Sequence, residues 1–356
     1  MSDHDGPSPG EPDDAMRKRG TASRAKLRVY LGADRRLVAV APLVVVFLSI
    51  VGLGVLDPRP LESAVEASDP VETLAQALLT AIITGVTLVV SINQLVLSRE
   101  LGPLGDQRER IEGSLSFRED VADLLDAPVA PPEPSAFLRA LAESIAARAR
   151  RLESTVTDEH RVSGADDDPA ARVHEFASEV EGNAAAVADR LEGQQFGTFD
   201  VLSAALDLNY SWKLYQAARL RRVHDDALPA ETTAALSDLR DALELFGPAR
   251  EHVKTLYFRW ELVNLSRSMF YAAVPALVVS IGAILFLNDL GTVTGSTVGV
   301  SNLLLVVAAV TAVSLAPFSV LAAAVLRIST VAKRTLSIGP FVLRSETRTD
   351  DIEWES

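Results

Sequence analysis

Four apolar segments, none of which contains a charged residue, constrain this sequence more than any other feature. They cover residues 37–56, 74–97, 270–287 and 303–326. A helix needs about 20 mostly apolar residues to cross the hydrocarbon core of a bilayer. All four segments meet that test of length and composition. The sequence therefore predicts a membrane protein with four transmembrane helices, arranged as two hairpins.

The distribution of lysine and arginine predicts the orientation of these helices. The short loops within the two hairpins, residues 57–70 and 288–301, contain a single basic residue, Arg59. Both termini and the long middle segment are therefore predicted to be cytoplasmic, in a multi-pass protein of the cell membrane. The basic residues that flank the segments on this side are Arg24, Lys26, Arg28, Arg35, Arg36, Arg99, Arg108, Arg110, Lys254, Arg259, Arg267, Arg327, Lys333 and Arg334.

One alternative concerns the pair Arg35-Arg36. A twin arginine before an apolar run can be an export signal, and cleavage would remove the first span. The run here is about 20 residues long, against about 7–15 for the apolar core of a signal peptide. No small-x-small cleavage pattern follows it at DPRPLESAVEA. The length of the apolar run and the missing cleavage pattern favour a transmembrane span, and the export signal stays the alternative.

Five parts follow from this topology. Residues 1–28 form a tail rich in Pro, Gly, Asp and Ser, which is expected to be disordered. The first transmembrane hairpin occupies 29–98 and the second 270–327. Between them lies a cytoplasmic domain, 99–269, and the chain ends in a cytoplasmic tail, 328–356.

The periodicity of the middle domain is helical throughout. Apolar residues recur every three or four positions over three stretches, and breakers such as 127–135 and Gly247-Pro248 separate the predicted helices. The fold class is therefore all-α, with an antiparallel bundle of about five or six helices inserted between spans two and three. The stretches are Val173, Phe176, Val180, Ala184, Val187 and Leu191; Leu138, Leu141, Ile145 and Leu152, with Arg148 or Ala149 at the missing turn; and 199–224.

Composition excludes several kinds of site and partner. The 356 residues include no cysteine, which rules out disulfides, thiolate metal sites and cysteine nucleophiles. A net charge of −14 argues against binding to nucleic acid, which needs a basic surface. With 5 lysines against 29 arginines, the acidic composition is typical of proteins from extremely halophilic archaea. A dense carboxylate surface keeps a protein hydrated in concentrated salt.

Catalytic and metal-binding patterns are missing from the sequence. It contains no HExxH, GxSxG, Walker A or dinucleotide-binding glycine motif. The run Asp166-Asp167-Asp168 lacks the glycine and glutamate of a calcium loop, and Asp168-Pro169 fits a helix start better. The spans hold no ionisable group, which disfavours charge-coupled transporters. The prediction is a non-enzymatic protein with no cofactor and no bound metal.

One line of polar side chains runs down the second span. Its residues are spaced four, three, four, three and four apart, which places them on one face of a helix. The line from the first to the last of them is about 27 Å long, at about 1.5 Å per residue. One interpretation is a helix-packing seam, since small polar residues allow close approach and hydrogen bonding between membrane helices. The other is a hydrated path at the axis of an oligomer. The seam consists of Thr80, Thr84, Thr87, Ser91, Gln94 and Ser98.

Aromatic and basic residues cluster just before the third span. Such residues typically anchor a membrane protein at the interface between lipid and water. A second interpretation is that a continuous helix couples the cytoplasmic domain to the membrane. The candidate anchors are Tyr257, Phe258, Arg259, Trp260, Arg267 and Tyr271.

Two resemblances extend these predictions. The segments SINQLVLSRELGPLGDQRERIEGSLSFRED and LYFRWELVNLSRSMFYAAVPAL resemble an uncharacterised family of four-span membrane proteins from halophilic archaea, over most of the chain from span one onward. This implies localisation and architecture but no activity. The order of two spans, a cytoplasmic helical domain and two spans resembles bestrophin-type anion channels in topology only.

The sequence therefore predicts a membrane protein whose helical cytoplasmic domain serves assembly or signalling. Its expected partners are the lipid bilayer and either further copies of itself or another membrane protein. The alternative is an oligomeric channel for ions or small solutes, lined by the polar seam of span two.

Overall fold

A computed structural model of the protein describes residues 35–57, 69–100, 102–156, 168–224, 227–287 and 293–334. This part of the chain is mostly helical. The predicted N-terminal tail and most of the C-terminal tail lie outside it, as do most of the first hairpin loop and residues 288–292 of the second. The elements are α1 (Arg35–Leu56), α2 (Pro70–Glu100), α3 (Leu104–Leu124), α4 (Pro134–Ser154), α5 (Pro169–Leu191), α6 (Phe199–Leu206), α7 (Tyr210–Val223), α8 (Ala230–Phe286), β1 (Ser296–Thr297), β2 (Val300–Ser301), α9 (Asn302–Ser314) and α10 (Ala316–Arg334).

Two compact units divide the chain. The described residues of the first lie mainly in Pro103–Phe258, and those of the second lie in Ser23–Gly102 and Arg259–Thr330. These divisions fall at 102/103 and 258/259, and the predicted domain boundaries at 98/99 and 269/270 stay predictions. The long helix α8 contributes residues to both units.

Within the described residues, three helices are long and apolar enough to cross a membrane: Leu37–Leu56, Pro70–Ser98 and Ala230–Phe286. The fourth predicted span, 303–326, is not one straight helix. It consists of α9 and α10, bent by 44° at a short break. Pro317 lies just after the break. A proline inside a helix lacks the N–H that would bond the carbonyl four residues earlier, and its ring crowds that carbonyl.

The first unit is built around helices α4 and α5. Each carries one fully apolar face, and these two faces form the centre of the core. The predicted stripes on both helices are confirmed, because every apolar residue assigned to them is buried. Ala149 fills the missing turn in α4, while the Arg148 guanidinium turns away and donates to the Leu124 carbonyl at 2.7 Å. Asp168 starts α5 as predicted, since its Oδ1 accepts from the Ala170 N–H at 3.1 Å.

The region predicted as one helix over 199–224 is split into α6 and α7. The break falls at Asp207–Asn209, where Asp and Asn side chains compete for backbone hydrogen bonds and favour turns. Asp207 is buried at this point and forms an ion pair with Arg190 of α5. A tertiary contact therefore fixes the turn that the apolar periodicity does not show.

The predicted break at Gly247-Pro248 does not occur, because α8 continues through both residues. Gly247 meets the ring of Tyr210 instead. A Cβ added at Gly247 would lie 2.6 Å from the Tyr210 Cε2. Phe246 and Ala249 on either side are buried in the core, so packing holds the helix together across a sequence that ends helices elsewhere.

The second unit packs through small residues. Gly54 of α1 faces Leu304 of α9, and a Cβ added there would lie 2.5 Å from the Leu304 Cδ2. The Ser319 hydroxyl in α10 donates to the Ala39 carbonyl of α1. Small residues at these positions let helix backbones approach closely, as membrane helices require when lipid supplies no hydrophobic driving force.

Candidate functional site: the polar face of helix α2

Helix α2 presents its polar seam to the outside of the protomer. All six predicted seam residues are exposed, and Thr73 and Gln76 extend the same face by two further exposed positions. The buried residues of α2 lie about half a turn away around the helix. They are Val71, Ala75, Leu78, Ile82, Gly85 and Val89.

The buried face is the one that packs within the protomer. Ile82 is fully buried in a cluster with Ala273 and Ala276 of α8. Gly85 faces the ring of Phe318, and Asn93 donates to the Ser266 hydroxyl of α8. Among the described residues, the seam therefore does not pack against neighbouring helices of its own protomer. The other interpretation, a hydrated path at the axis of an oligomer, stays a prediction.

Each hydroxyl of the seam donates to a carbonyl of its own helix. Thr84 donates to Thr80 at 2.9 Å and Thr87 to Ile83 at 2.9 Å. The other three such bonds are Thr80 to Gln76 at 3.0 Å, Ser91 to Thr87 at 2.9 Å and Ser98 to Leu95 at 2.9 Å. These bonds occupy the hydroxyl protons and leave oxygen lone pairs directed outward. The face is therefore a row of hydrogen-bond acceptors.

Gln94 differs from the other seam residues in its chemistry. Its side-chain amide carries two N–H donors as well as an acceptor oxygen, and the side chain is exposed. It lies one helical turn from both Ser91 and Ser98. The seam thus combines a source of donors with a row of acceptors, which is the complement that a second copy of the same face would offer.

The predicted interfacial anchors are not a uniform set. Tyr257 is only 2% exposed and packs edge-on against Phe199, with ring centroids 6.0 Å apart, so it belongs to the core of the first unit. Phe258 is half-buried beside it. The remaining four anchors, Arg259, Trp260, Arg267 and Tyr271, are exposed. The sequence could not show which of the six anchors are buried and which are exposed, since all six are aromatic or basic residues in one short stretch.

Buried charges of the first unit are neutralised by close partners. The Lys213 ammonium is fully buried and lies 2.9 Å from the Glu179 carboxylate. The Arg250 guanidinium lies 2.8 Å from Glu251 and 4.5 Å from the ring centroid of Tyr210. Burial alone would raise the pKa of Glu251, but hydrogen bonds and charge from Lys254 and Arg250 lower it below its ordinary value. These contacts are structural pairs that stabilise helix packing.

In the described part of the chain, no group of three or more His, Asp or Glu side chains is placed to hold a metal ion. Of the acidic run at 166–168, Asp168 caps α5, while Asp166 and Asp167 lie outside the described residues. The polar face of α2 is therefore the feature with the clearest potential for function.

The chain belongs to a family of unknown function, DUF7972, whose model matches residues 1–356. No curated protein and no solved structure matches the chain. Because the family carries no assigned activity, the geometry of α2 must guide the functional interpretation.

Proposed function

We propose that this chain is a non-enzymatic integral protein of the cell membrane whose copies assemble through the polar face of α2. One observation carries the proposal. A polar face about 27 Å long lies on the outside of a helix that is apolar enough to cross a membrane. Polar groups in a membrane normally face protein or water rather than lipid.

The proposal includes four spans, with the bent pair α9–α10 as the fourth, and cytoplasmic termini. The basic residues at the other ends of the segments support this orientation, since the two hairpin loops contain a single basic residue, Arg59. The domain of residues 99–269 is then cytoplasmic and serves assembly or signalling. A cysteine placed at Ser63 should react with a membrane-impermeant label from outside the cell. Reaction only after the membrane is opened would contradict the orientation.

The energetics favour contact between copies. A hydroxyl that already bonds its own helix is tolerated in lipid, but the two N–H donors of Gln94 have no partner in hydrocarbon. In mutational studies of proteins, leaving such a buried group without a hydrogen bond costs about 1–3 kcal/mol. Against a second copy, Gln94 can donate to the Ser91 and Ser98 oxygens. Polar contacts between membrane helices contribute about 0.6–2 kcal/mol each.

The test is the oligomeric state of the full chain in detergent and in nanodiscs at high salt. We expect a defined oligomer, and we expect Gln94→Leu combined with Thr87→Val to shift it toward monomer. Thr311→Val is the matched control, because its hydroxyl also bonds its own helix, to Val307 at 2.8 Å, but lies in α9 away from the seam. A wild-type chain that remains monomeric under all these conditions would overturn the proposal.

A second candidate function is conduction along the same face. The row of outward lone pairs supports it, because hydroxyl oxygens can replace water around a hard cation. This candidate requires several copies to place their seams around one axis. Purified protein in liposomes should then pass cations at high salt. If flux occurs and is unchanged in the double variant Thr84→Val with Thr87→Val, the seam is not the path.

A further inference from the structure

The first half of helix α3, residues 104–116, is exposed at almost every position. Every side chain from 104 to 116 is exposed except Gln107, which is half-buried. Only toward its end, at Val121 and Ala122, does the helix enter the core of the first unit. An isolated helix of this length is marginal in water, so a partner would stabilise it.

Three apolar side chains of this segment share one narrow face. Leu104, Ile111 and Leu115 are 81%, 60% and 55% exposed, and their spacing of seven and four places them within one stripe along the helix. The Arg108–Glu112 ion pair, with N and O atoms 2.6 Å apart, borders the stripe on one side. An apolar centre with charges of both signs at its edge is the pattern of a contact between helices.

The charge of the segment argues against a lipid surface as the covering partner. Asp106, Glu109 and Glu112 outnumber Arg108 and Arg110 between positions 104 and 116. Helices that lie on anionic membranes carry an excess of lysine and arginine on the polar face instead.

Chain connectivity favours a second copy. α3 begins four residues after α2 ends, so Leu104 can lie no farther than about 14 Å from the last residue of α2, at about 3.5 Å per residue. Two copies joined along α2 would therefore hold their α3 segments near each other at high effective concentration.

We propose that the face formed by Leu104, Ile111 and Leu115 is a contact between copies of this chain. The proposal rests on the assembly through α2 proposed above and adds a second, aqueous contact to it. The apolar side chains of one copy cover those of the other. Arg108 and Glu112 at the border supply charges of both signs for pairing across the contact.

Disulfide cross-linking in native membranes tests this contact directly, because the chain has no cysteine of its own. Ile111→Cys places a single thiol at the centre of the stripe, and Glu109→Cys places one on the opposite, exposed face as the matched control. We expect Ile111→Cys to form dimers at least roughly tenfold faster than Glu109→Cys on mild oxidation, since a fixed contact raises the effective thiol concentration. Equal rates at both positions would indicate random collision and would overturn the proposal.

A third variant, Thr87→Cys in the seam, separates this contact from the assembly through α2. Cross-linking at position 87 without cross-linking at 111 would overturn the α3 contact and leave the proposed assembly standing. Cross-linking at 111 without cross-linking at 87 would support the α3 contact and contradict the seam. If the thiol at 111 is shielded from a soluble maleimide but forms no dimer, another segment or protein covers the stripe, and the proposal fails.

Discussion

The hydroxyls of Ser280 and Ser314 lie 2.8 Å apart and join helices α8 and α9 through a fully buried hydrogen bond. Because neither side chain reaches the surface, this bond fixes the two helices at one register. Membrane helices obtain little hydrophobic energy from packing against each other, so such contacts and small side chains carry the association.

Replacing Ser280 by alanine should destabilise the folded protein by about 0.6–1.7 kcal/mol, the range measured for hydrogen bonds between membrane helices. Unfolding of the purified chain in detergent, followed by circular dichroism against denaturant, measures the loss. The control is Ser114→Ala, because that hydroxyl is exposed and bonds only the Arg110 carbonyl of its own helix at 2.8 Å. An equal effect of both variants would mean that the Ser280 bond contributes nothing specific.

Gly247→Ala should cost about 1–3 kcal/mol of stability, the usual range for overpacking a core. The new methyl group would meet the ring of Tyr210, which also packs against Arg250. Gly182→Ala is the matched control, since that glycine is exposed in α5 with nothing within 4 Å of an added Cβ. There the exchange should raise stability by about 0.5–1 kcal/mol. Thermal unfolding of both variants distinguishes them, and a stabilising Gly247→Ala would show that the ring moves freely.

Glu133 links the start of α4 to the loop before α6. Its carboxylate accepts from the backbone N–H of Ala136 at 2.8 Å and of Phe196 at 3.0 Å, and from the Ser135 hydroxyl. Burial alone would raise its pKa, but these hydrogen bonds lower it below the ordinary value of 4.5. The ionised form is therefore bound more strongly in the folded state than in the unfolded state.

This lowered pKa predicts a pH dependence of stability. The contribution of Glu133 should be complete above pH 4.5 and should fade as the pH falls through the lower, folded-state pKa. Glu133→Gln should therefore be less stable than wild type at pH 7, by about 1 kcal/mol for a weakened helix cap. Below pH 4.5 the difference should shrink as the pH falls, because wild type also loses the charge. Denaturant unfolding at both pH values checks this, and a difference that is constant with pH would contradict it.

Val298 lies at the tip of the β1–β2 hairpin in a left-handed conformation, with φ of 55°, followed by Gly299 with φ of 79°. Its side chain is 97% exposed, so no packing compensates for the strain of a β-branched residue there. Val298→Asn creates an Asn-Gly pair, which favours this kind of tight turn. We expect a gain of about 1 kcal/mol in the local stability of the hairpin. Slower hydrogen exchange at the Val300 amide would show it, with Val298→Ala as the control that keeps the left-handed strain.

Sequence patterns predicted the elements in which one physical effect dominates. The stripes of α4 and α5 follow from burial of one helix face, and each stripe contains small or apolar residues at nearly every turn. The long apolar helices follow from length and apolarity alone. In both cases the residues along the segment all favour the same helix, so no tertiary contact is needed to decide the structure.

The sequence could not predict the places where local and tertiary effects oppose each other. Gly247-Pro248 looks like a helix end, but packing on Tyr210 continues the helix. Asp207 looks like part of a helix, but its ion pair with Arg190 holds a turn. The bend between α9 and α10 has a local signal in Pro317, yet Pro275 lies within α8, which remains one helix. Proline alone therefore does not decide between a bend and a continuous helix.

The direction of the polar seam could not be predicted from the sequence either. Both faces of α2 show helical spacing, and the apolar face of Ala75, Leu78 and Ile82 could equally have faced lipid. Contacts with Ala273, Ala276 and Phe318 decide that it faces inward. The visible clue was the glycine at position 85 within that stripe, since a glycine in a membrane helix often marks a close contact.

The half-turn between the two faces of α2 gives this helix two independent sets of constraints. On the assembly proposed above, substitutions on the outward face change how copies recognise each other while the protomer keeps the same fold. Substitutions on the inward face change the fold and leave the outward polar side chains in place. A membrane protein with this division can acquire a new assembly partner through a few outward positions, without first having to stabilise a new structure.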